Sequence, residues 1–209
     1  MYRAIPLSLA AIGRQSLISK AILVLAGSAF IAVAAQISVP MIPVPMTLQT
    51  LAILIVGLAF GSRMGAVTLL AYLAEGALGL PVFAGAKSTL ALIGPTGGFL
   101  IGFVGMAFVA GLAADFGFKK FLPLAATALV AAALLYIPGI AWPLLIAKVG
   151  GVTQALTGFG MDPLQWGADN MSMIWQYYMG PFLIGDAVKA VLAALIVAGG
   201  WTVLNRSKV

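Results

Sequence analysis

The sequence has no cysteine and no histidine, and only 8% of its 209 residues are charged. Without cysteine the chain can form no disulfide bond and has no thiolate nucleophile. Without histidine it lacks the usual general base and most zinc, haem and copper ligands. It also has no phosphate-binding loop, because the glycine and lysine spacing from Gly79 to Ser88 is wrong for one. We therefore predict no enzyme and no cofactor, and expect any ATP hydrolysis from another subunit.

Apolar residues make up 63% of the chain and the mean hydropathy is +1.14, far from the composition of a soluble domain. Charge, glycine or proline bounds six apolar runs, at about 20–38, 47–61, 64–80, 97–115, 121–142 and 181–204. We therefore predict an all-α integral membrane protein with six transmembrane helices in contact with membrane lipid. Its predicted parts are a cytoplasmic N-terminal segment (1–19), a six-helix membrane domain (20–204) and a cytoplasmic tail (205–209).

The basic residues lie between the apolar runs and predict the orientation of the chain. With both termini in the cytoplasm, only Lys87 and Lys148 face outward. Eight basic residues then face inward: Arg3, Arg14, Lys20, Arg63, Lys119, Lys120, Arg206 and Lys208. This bias follows the positive-inside rule, so we expect a multi-pass protein of the cell membrane. The basic residues form no cluster, and no nucleic-acid partner is expected.

Three unusual connections are then external. Residues 38–46 contain three prolines, which predict an extended segment. Residues 79–98 are rich in glycine and proline, and such backbone inside a membrane protein is expected to line a cavity. In residues 143–180, apolar side chains at i, i+3, i+4 and i+7 from Met171 to Tyr178 predict a short amphipathic helix in the outer interface, with Asp169 and Asn170 as caps.

Two opposite charges, Asp186 and Lys189, lie one helical turn apart in the last apolar run. A charge within the bilayer costs about 2.5 to 3.5 kcal/mol on insertion scales, and such residues usually face a cavity. The helix direction places both in the outer half with their side chains leaning outward. The pair predicts a binding site that opens to the outside, and the alternative is a purely structural ion pair.

Two other acidic residues carry weaker predictions. Glu75 is either a second polar wall of the cavity, a partner for a backbone group or a lipid-interface residue. Asp115 precedes Lys119 by four residues, which predicts an exposed ion pair on one helix. Small residues four apart, among them Gly98 and Gly102, predict close packing between helices.

Five segments in this order resemble the BioY family, the substrate-binding S components of energy-coupling factor (ECF) biotin transporters. They are Val-Pro-Met-Thr-Leu-Gln-Thr (44–50), Gly-Ser-Arg-Met-Gly (61–65), Gly-Leu-Pro-Val-Phe-Ala-Gly (79–85), Gly-Pro-Thr-Gly-Gly-Phe-Leu (94–100) and Pro-Phe-Leu-Ile-Gly-Asp-Ala-Val-Lys (181–189). The resemblance covers about 20–204. It implies the six-helix S-component fold and high-affinity binding of biotin for uptake. It also implies a transmembrane coupling protein and two ATP-binding cassette ATPases as partners.

The resemblance also implies the site residues. Its Asp-x-x-Lys motif falls on Asp186 and Lys189 as ligand contacts, and its ligand-closing loop falls on Thr47 and Gln49. The remaining candidates are Gly97 and Gly98, where backbone could approach the ligand, and Phe83 and Trp142 as apolar walls. After Gly85, Ala-Lys-Ser-Thr replaces the glycine-rich continuation of the family, so no family contact is carried over to those residues.

Chemistry alone leaves the role of Lys189 open. A carboxylate can accept the N–H groups of the biotin ureido ring, while an ammonium can bind either the ureido oxygen or the valerate carboxylate. The alternatives to a biotin transporter are an S component for another vitamin and a membrane enzyme that acts on lipid. The sequence contains no pair of nucleophile and base to support the enzyme. An assembly protein that binds through its small-residue faces would leave the Asp186 and Lys189 pair unexplained.

Overall fold

The structure, a computed structural model, describes residues 6–12, 16–148 and 171–206. Helices account for most of this part of the chain. We label them α1 (Leu7–Ile12), α2 (Leu17–Gln36), α3 (Gln49–Phe60), α4 (Ser62–Ala77), α5 (Leu90–Ile93), α6 (Gly97–Asp115), α7 (Phe121–Lys148) and α8 (Met171–Arg206). The strands β1 (Ser38–Val39) and β2 (Met46–Thr47) form an antiparallel pair between α2 and α3.

A helix lies at each of the six predicted apolar runs. Among the described residues, four helical segments are long and apolar enough to cross a membrane: Leu17–Gln36, Gly97–Asp115, Phe121–Leu145 and Met171–Arg206. Helices α3 and α4 are shorter, with 12 and 16 residues. The mainly helical membrane fold is therefore confirmed, whereas the number of crossings stays a prediction.

The sequence-based prediction placed two helix boundaries at prolines, and both boundaries are wrong. Helix α7 does not end at residue 142 but continues through Pro138 and Pro143 to Lys148. The segment from Met171 to Tyr178 is not a separate interfacial helix, because it forms the first turns of α8. In membrane helices, local changes of hydrogen bonding and neighbouring helices compensate for the missing proline N–H, so proline is tolerated there.

Helix α8 shows this local change directly. Residues Trp175–Met179 form a π-helical turn, in which the Gly180 N–H donates to the carbonyl of Trp175, five residues earlier. The wider turn lies directly before Pro181. Of the four residues of the predicted apolar face, Ile174 and Tyr178 are buried, while Met171 and Trp175 are exposed. The predicted caps Asp169 and Asn170 lie outside the described residues.

The two described connections have the irregular backbone that their composition predicts. Residues 38–47 are extended at both ends, where Ser38 pairs with Thr47 and Val39 with Met46. In the second connection, Phe83 and Lys87 form an isolated antiparallel bridge, followed by the single turn of α5. Both connections lie at the end of the bundle where α3 and α6 begin.

Small residues let α6 pack closely against α3, α4 and α7 at the centre of the bundle. A Cβ atom on Gly57 would lie 2.7 Å from the Ala107 carbonyl oxygen, and one on Gly102 would lie 2.7 Å from the Pro138 ring. Such contacts require glycine. The predicted close packing of the Gly98 and Gly102 face is therefore internal to the bundle, between α6 and α7.

The predicted ion pair between Asp115 and Lys119 is absent from the described part of the chain. The Asp115 carboxylate instead accepts a hydrogen bond from the Ser62 hydroxyl, and the Lys119 ammonium lies 4.5 Å from the centre of the Trp201 ring. Helix α6 ends at Asp115, and Gly117 follows with a φ of 79°. The i,i+4 geometry therefore does not extend to Lys119.

Candidate functional site

A polar cavity opens at the end of the bundle that carries the two irregular connections. Its empty volume is about 700 Å³, including space open to solvent. The helices α3, α6, α7 and α8 and both connections contribute to its wall. Its polar lining residues are Thr47, Gln49, Thr50, Lys87, Thr96, Tyr136, Asp186 and Lys189, and its larger apolar ones are Phe83, Phe99, Leu100, Phe103, Leu135 and Phe182.

Asp186 is the centre of the hydrogen-bond network in this cavity. Its Oδ1 accepts hydrogen bonds from the Lys189 ammonium at 3.1 Å and from the Thr50 hydroxyl at 3.0 Å. Its Oδ2 accepts one from the Tyr136 hydroxyl at 2.7 Å. Three helices, α3, α7 and α8, thus hold one buried carboxylate. These donors stabilise its charge in an otherwise apolar bundle.

A second chain of hydrogen bonds orients Gln49, which is buried at the start of α3. The Tyr72 hydroxyl donates to the Val82 carbonyl at 2.9 Å, so it must accept from Gln49, whose Nε2 lies 2.8 Å away. This fixes the side-chain amide, and its Oε1 accepts no hydrogen bond within the described part of the chain. The Tyr72 ring also meets Phe83 edge to face at 5.3 Å, which places Phe83 in the wall.

The structure brings five of the eight predicted site residues together in the cavity wall. These are Thr47, Gln49, Phe83, Asp186 and Lys189. They come from three separate segments, 44–50, 79–85 and 181–189, which are far apart along the chain.

Gly97, Gly98 and Trp142 do not line the cavity. The Trp142 indole N–H donates to the Gly94 carbonyl at 3.1 Å, and a Cβ atom on Gly97 would lie 2.8 Å from Trp142 Nε1. One on Gly98 would collide with the backbone of Pro138. These three residues therefore bring α6 and α7 into close contact behind the wall.

Glu75 also lies away from the cavity lining. Its Oε1 accepts a hydrogen bond from the Ser28 hydroxyl at 2.7 Å, which links α4 to α2. Among the alternatives considered for Glu75, a second polar wall is therefore wrong. Its observed partner is a side chain on a neighbouring helix, a possibility that the sequence analysis did not include.

Sequence analysis missed Thr50 and Tyr136, which bind Asp186, and Lys87 at the mouth. Hydroxyl groups in apolar runs are common and carry no charge penalty, so nothing distinguished Tyr136 from other tyrosines. Thr50 could have been found, since it follows Gln49 in a motif already singled out. Lys87 was assigned to the outer side but not to the site.

The lining can bind a ligand with both polar and apolar parts. Asp186 and the Gln49 amide oxygen can accept hydrogen bonds, and Lys189 has N–H groups beyond the one that contacts Asp186. The aromatic side chains form an apolar wall around these groups. An apolar pocket with a few fixed polar groups is typical of small-molecule binding sites.

Comparisons of the sequence and the fold with known proteins identify relatives of this chain. The model of the BioY family matches residues 8–206. A probable biotin transporter BioY from Pyrococcus horikoshii is 36% identical over 169 residues, which cover 80% of this chain and 87% of that protein. The biotin transporter BioY of Thermotoga maritima is 35% identical over 171 residues, or 81% and 88% of the two chains. These relatives are named as transporters and not as enzymes.

A solved structure has the same fold. The S-component for biotin from an ECF-type ABC transporter superposes with a TM-score of 0.63, at 22% sequence identity, and covers 88% of this chain and 93% of that one. Together with the long apolar helices, these relatives identify a multi-pass membrane protein with the S-component fold. Because the family model spans nearly the whole sequence, this chain belongs to the BioY family.

Proposed function

We propose that this protein is the biotin-binding subunit of a transporter for biotin uptake. The observation that carries the proposal is the buried Asp186 and Lys189 pair, joined at 3.1 Å in the wall of a cavity whose larger apolar residues are mainly aromatic. The names of the BioY relatives supply the ligand, because each of the two described above is a biotin transporter or a probable one.

In the proposed complex, the polar side chains of the cavity bind the ureido ring of biotin and an aromatic side chain packs against its fused rings. Asp186 accepts a ureido N–H of biotin with the capacity left on its carboxylate, and Thr47 and Gln49 provide further polar contacts beside it. Phe83 packs against the fused rings. In this proposal Gly97, Gly98 and Trp142 act from behind the wall, by holding α6 against α7.

The proposed topology has six membrane crossings with both termini in the cytoplasm and the cavity open to the exterior. The segments are 1–19 in the cytoplasm, 20–204 in the membrane and 205–209 in the cytoplasm. The distribution of basic residues supports this orientation. The membrane is the cell membrane, where uptake from outside takes place.

The energy for uptake comes from partners in this proposal. A transmembrane coupling protein and two ATP-binding cassette ATPases reorient the subunit and release biotin inside. The sequence itself has no phosphate-binding loop, and the solved structure with this fold is the S-component of an ECF-type ABC transporter. Co-purification with and without these ATPases, followed by measurement of biotin uptake, tests whether the chain needs them.

Ligand binding by purified protein in detergent tests the function directly. We expect biotin to raise the midpoint of thermal unfolding, because a ligand that binds only the folded state stabilises it. Thiamine and riboflavin, added at the same concentrations, are expected to have no effect. The Asp186→Asn variant should lose the response to biotin while it stays folded.

The outcomes separate the alternatives. Stabilisation by thiamine or riboflavin but not by biotin would identify an S component for another vitamin. Stabilisation by none of the three, with intact folding, would contradict the proposal. The lipid enzyme is not favoured, since the relatives are named as transporters.

A further inference from the structure

Three charged side chains line the cavity within the described part of the chain, and their charges do not cancel. Asp186 and Lys189 neutralise each other through the 3.1 Å contact. Lys87 makes no side-chain hydrogen bond or ion pair with any residue that the structure describes, although it lines the same cavity. The described lining therefore has a net charge of +1, carried by an exposed ammonium at the mouth.

The loop that carries Lys87 is held in place by the side chain of Gln36 on α2. The Gln36 Nε2 donates to the Phe83 carbonyl at 3.1 Å, and its Oε1 accepts from the Ala86 N–H at 3.0 Å. The Phe83 N–H in turn donates to the Lys87 carbonyl at 3.0 Å. The backbone of Lys87 is thus fixed, while its side chain is free to meet a ligand.

The turn before Lys87 is equally well defined. Gly85 and Ala86 have φ values of 69° and 55°, two consecutive left-handed residues that are typical of a tight hairpin turn. Below the turn, the ring of Phe83 is 1% exposed and anchors the loop in the wall.

We infer that Lys87 binds the free carboxylate of the ligand, while the Asp186 and Lys189 pair binds its neutral polar end. This assignment rests on the proposed function, in which biotin supplies a neutral ureido ring and one valerate carboxylate. A carboxylate on Lys189 would lie close to Asp186, and the two negative charges would repel each other. At Lys87 the carboxylate meets the one unbalanced positive charge of the described lining.

Biotin and its neutral amide, biotinamide, test the assignment. Titration of the purified protein should show that the wild type binds biotin about tenfold more tightly than biotinamide, as expected for one charge-assisted hydrogen bond. Lys87→Met should bind both compounds with the affinity that the wild type has for biotinamide. Lys87→Arg should keep the preference for biotin, because the positive charge is retained. Lys120→Met, at an exposed lysine that does not line the cavity, is the matched control and should behave as the wild type.

The affinity for biotinamide shows in the same experiment that each variant is folded. A second experiment measures biotin affinity at increasing ionic strength. Added salt should weaken the binding of biotin to the wild type more than its binding to Lys87→Met. If Lys87→Met keeps the preference for biotin, or if the wild type has none, this assignment is wrong and the proposed function is unaffected. If the wild type binds neither compound, both are wrong.

Discussion

The buried pair of Asp186 and Lys189 allows its structural role to be separated from its role in ligand binding. The perturbation is a double-mutant cycle of Asp186→Asn, Lys189→Met and both changes together. In Asp186→Asn, the ammonium loses its counter-charge while it is only 8% exposed. In Lys189→Met, the carboxylate keeps the hydrogen bonds from Thr50 and Tyr136. The two single changes therefore leave very different groups behind.

The magnitudes follow from this difference. Breaking a buried pair costs about 3 to 5 kcal/mol, and we expect about 3 kcal/mol for Asp186→Asn because both residues line an open cavity. Lys189→Met should cost about 1.5 kcal/mol, the low end of the range for losing one hydrogen bond to a charged group, because Thr50 and Tyr136 still donate to the carboxylate. The double variant has no unpaired charge. Its free energy of unfolding should therefore be reduced by less than that of Asp186→Asn alone.

Denaturation in mixed detergent micelles, followed by tryptophan fluorescence, measures these free energies of unfolding. A biotin titration on the same samples measures binding, which the proposed contacts require to be weak in all three variants. If the effects of the two single changes add in the double variant, the pair has no energetic coupling, and the argument from buried charge is wrong. If the double variant binds biotin as the wild type does, the ligand role is wrong instead.

Two further predictions concern residues around the cavity. Tyr136→Phe removes one of the donors that hold the Asp186 carboxylate, so biotin affinity should fall about tenfold in a titration; unchanged affinity would show that this hydroxyl does not matter for binding. Gly76→Ala would place a Cβ atom within the Phe83 ring and force that ring toward the cavity, so both stability and biotin affinity should fall. Gly105→Ala is the control, because no atom of another described element lies within 4 Å of the added Cβ; this change should stabilise the helix by about 0.5 to 1 kcal/mol, as measured by denaturation.

The helices were predictable from the sequence because apolar runs of bilayer length have few other solutions in a membrane. Their ends were not. Pro143 was taken as a helix end and Pro181 as a helix start, yet both lie inside longer helices. Whether proline ends a membrane helix depends on what satisfies the released carbonyl, and only the packed structure supplies that partner. The π-helical turn before Pro181 is such a case, and no sequence pattern predicts it.

The site was partly predictable for a related reason. Asp186 and Lys189 stand out because charge in an apolar run is costly, so they need a partner and a cavity. Tyr136 and Thr50 are as close to the centre of the network, but neither hydroxyl carries a charge, and a threonine hydroxyl can also bond to the backbone of its own helix, so neither residue stands out in an apolar run. The role of Lys87 depends on a turn that folds a distant loop over the cavity mouth, which is a property of the tertiary structure.

The hydrogen bonds to Asp186 stabilise its carboxylate in the cavity and also hold it in position to bind a ligand. Because Lys189, Thr50 and Tyr136 already donate to the carboxylate, its charge is stabilised before any ligand arrives. The donors come from three helices, so the oxygen atoms are held in fixed positions. A ligand that donates to the remaining lone pairs then binds without rearranging the wall, and little of its binding energy is lost in ordering side chains. Tight binding of a small, mostly neutral ligand in a membrane bundle is favoured by this kind of preorganisation.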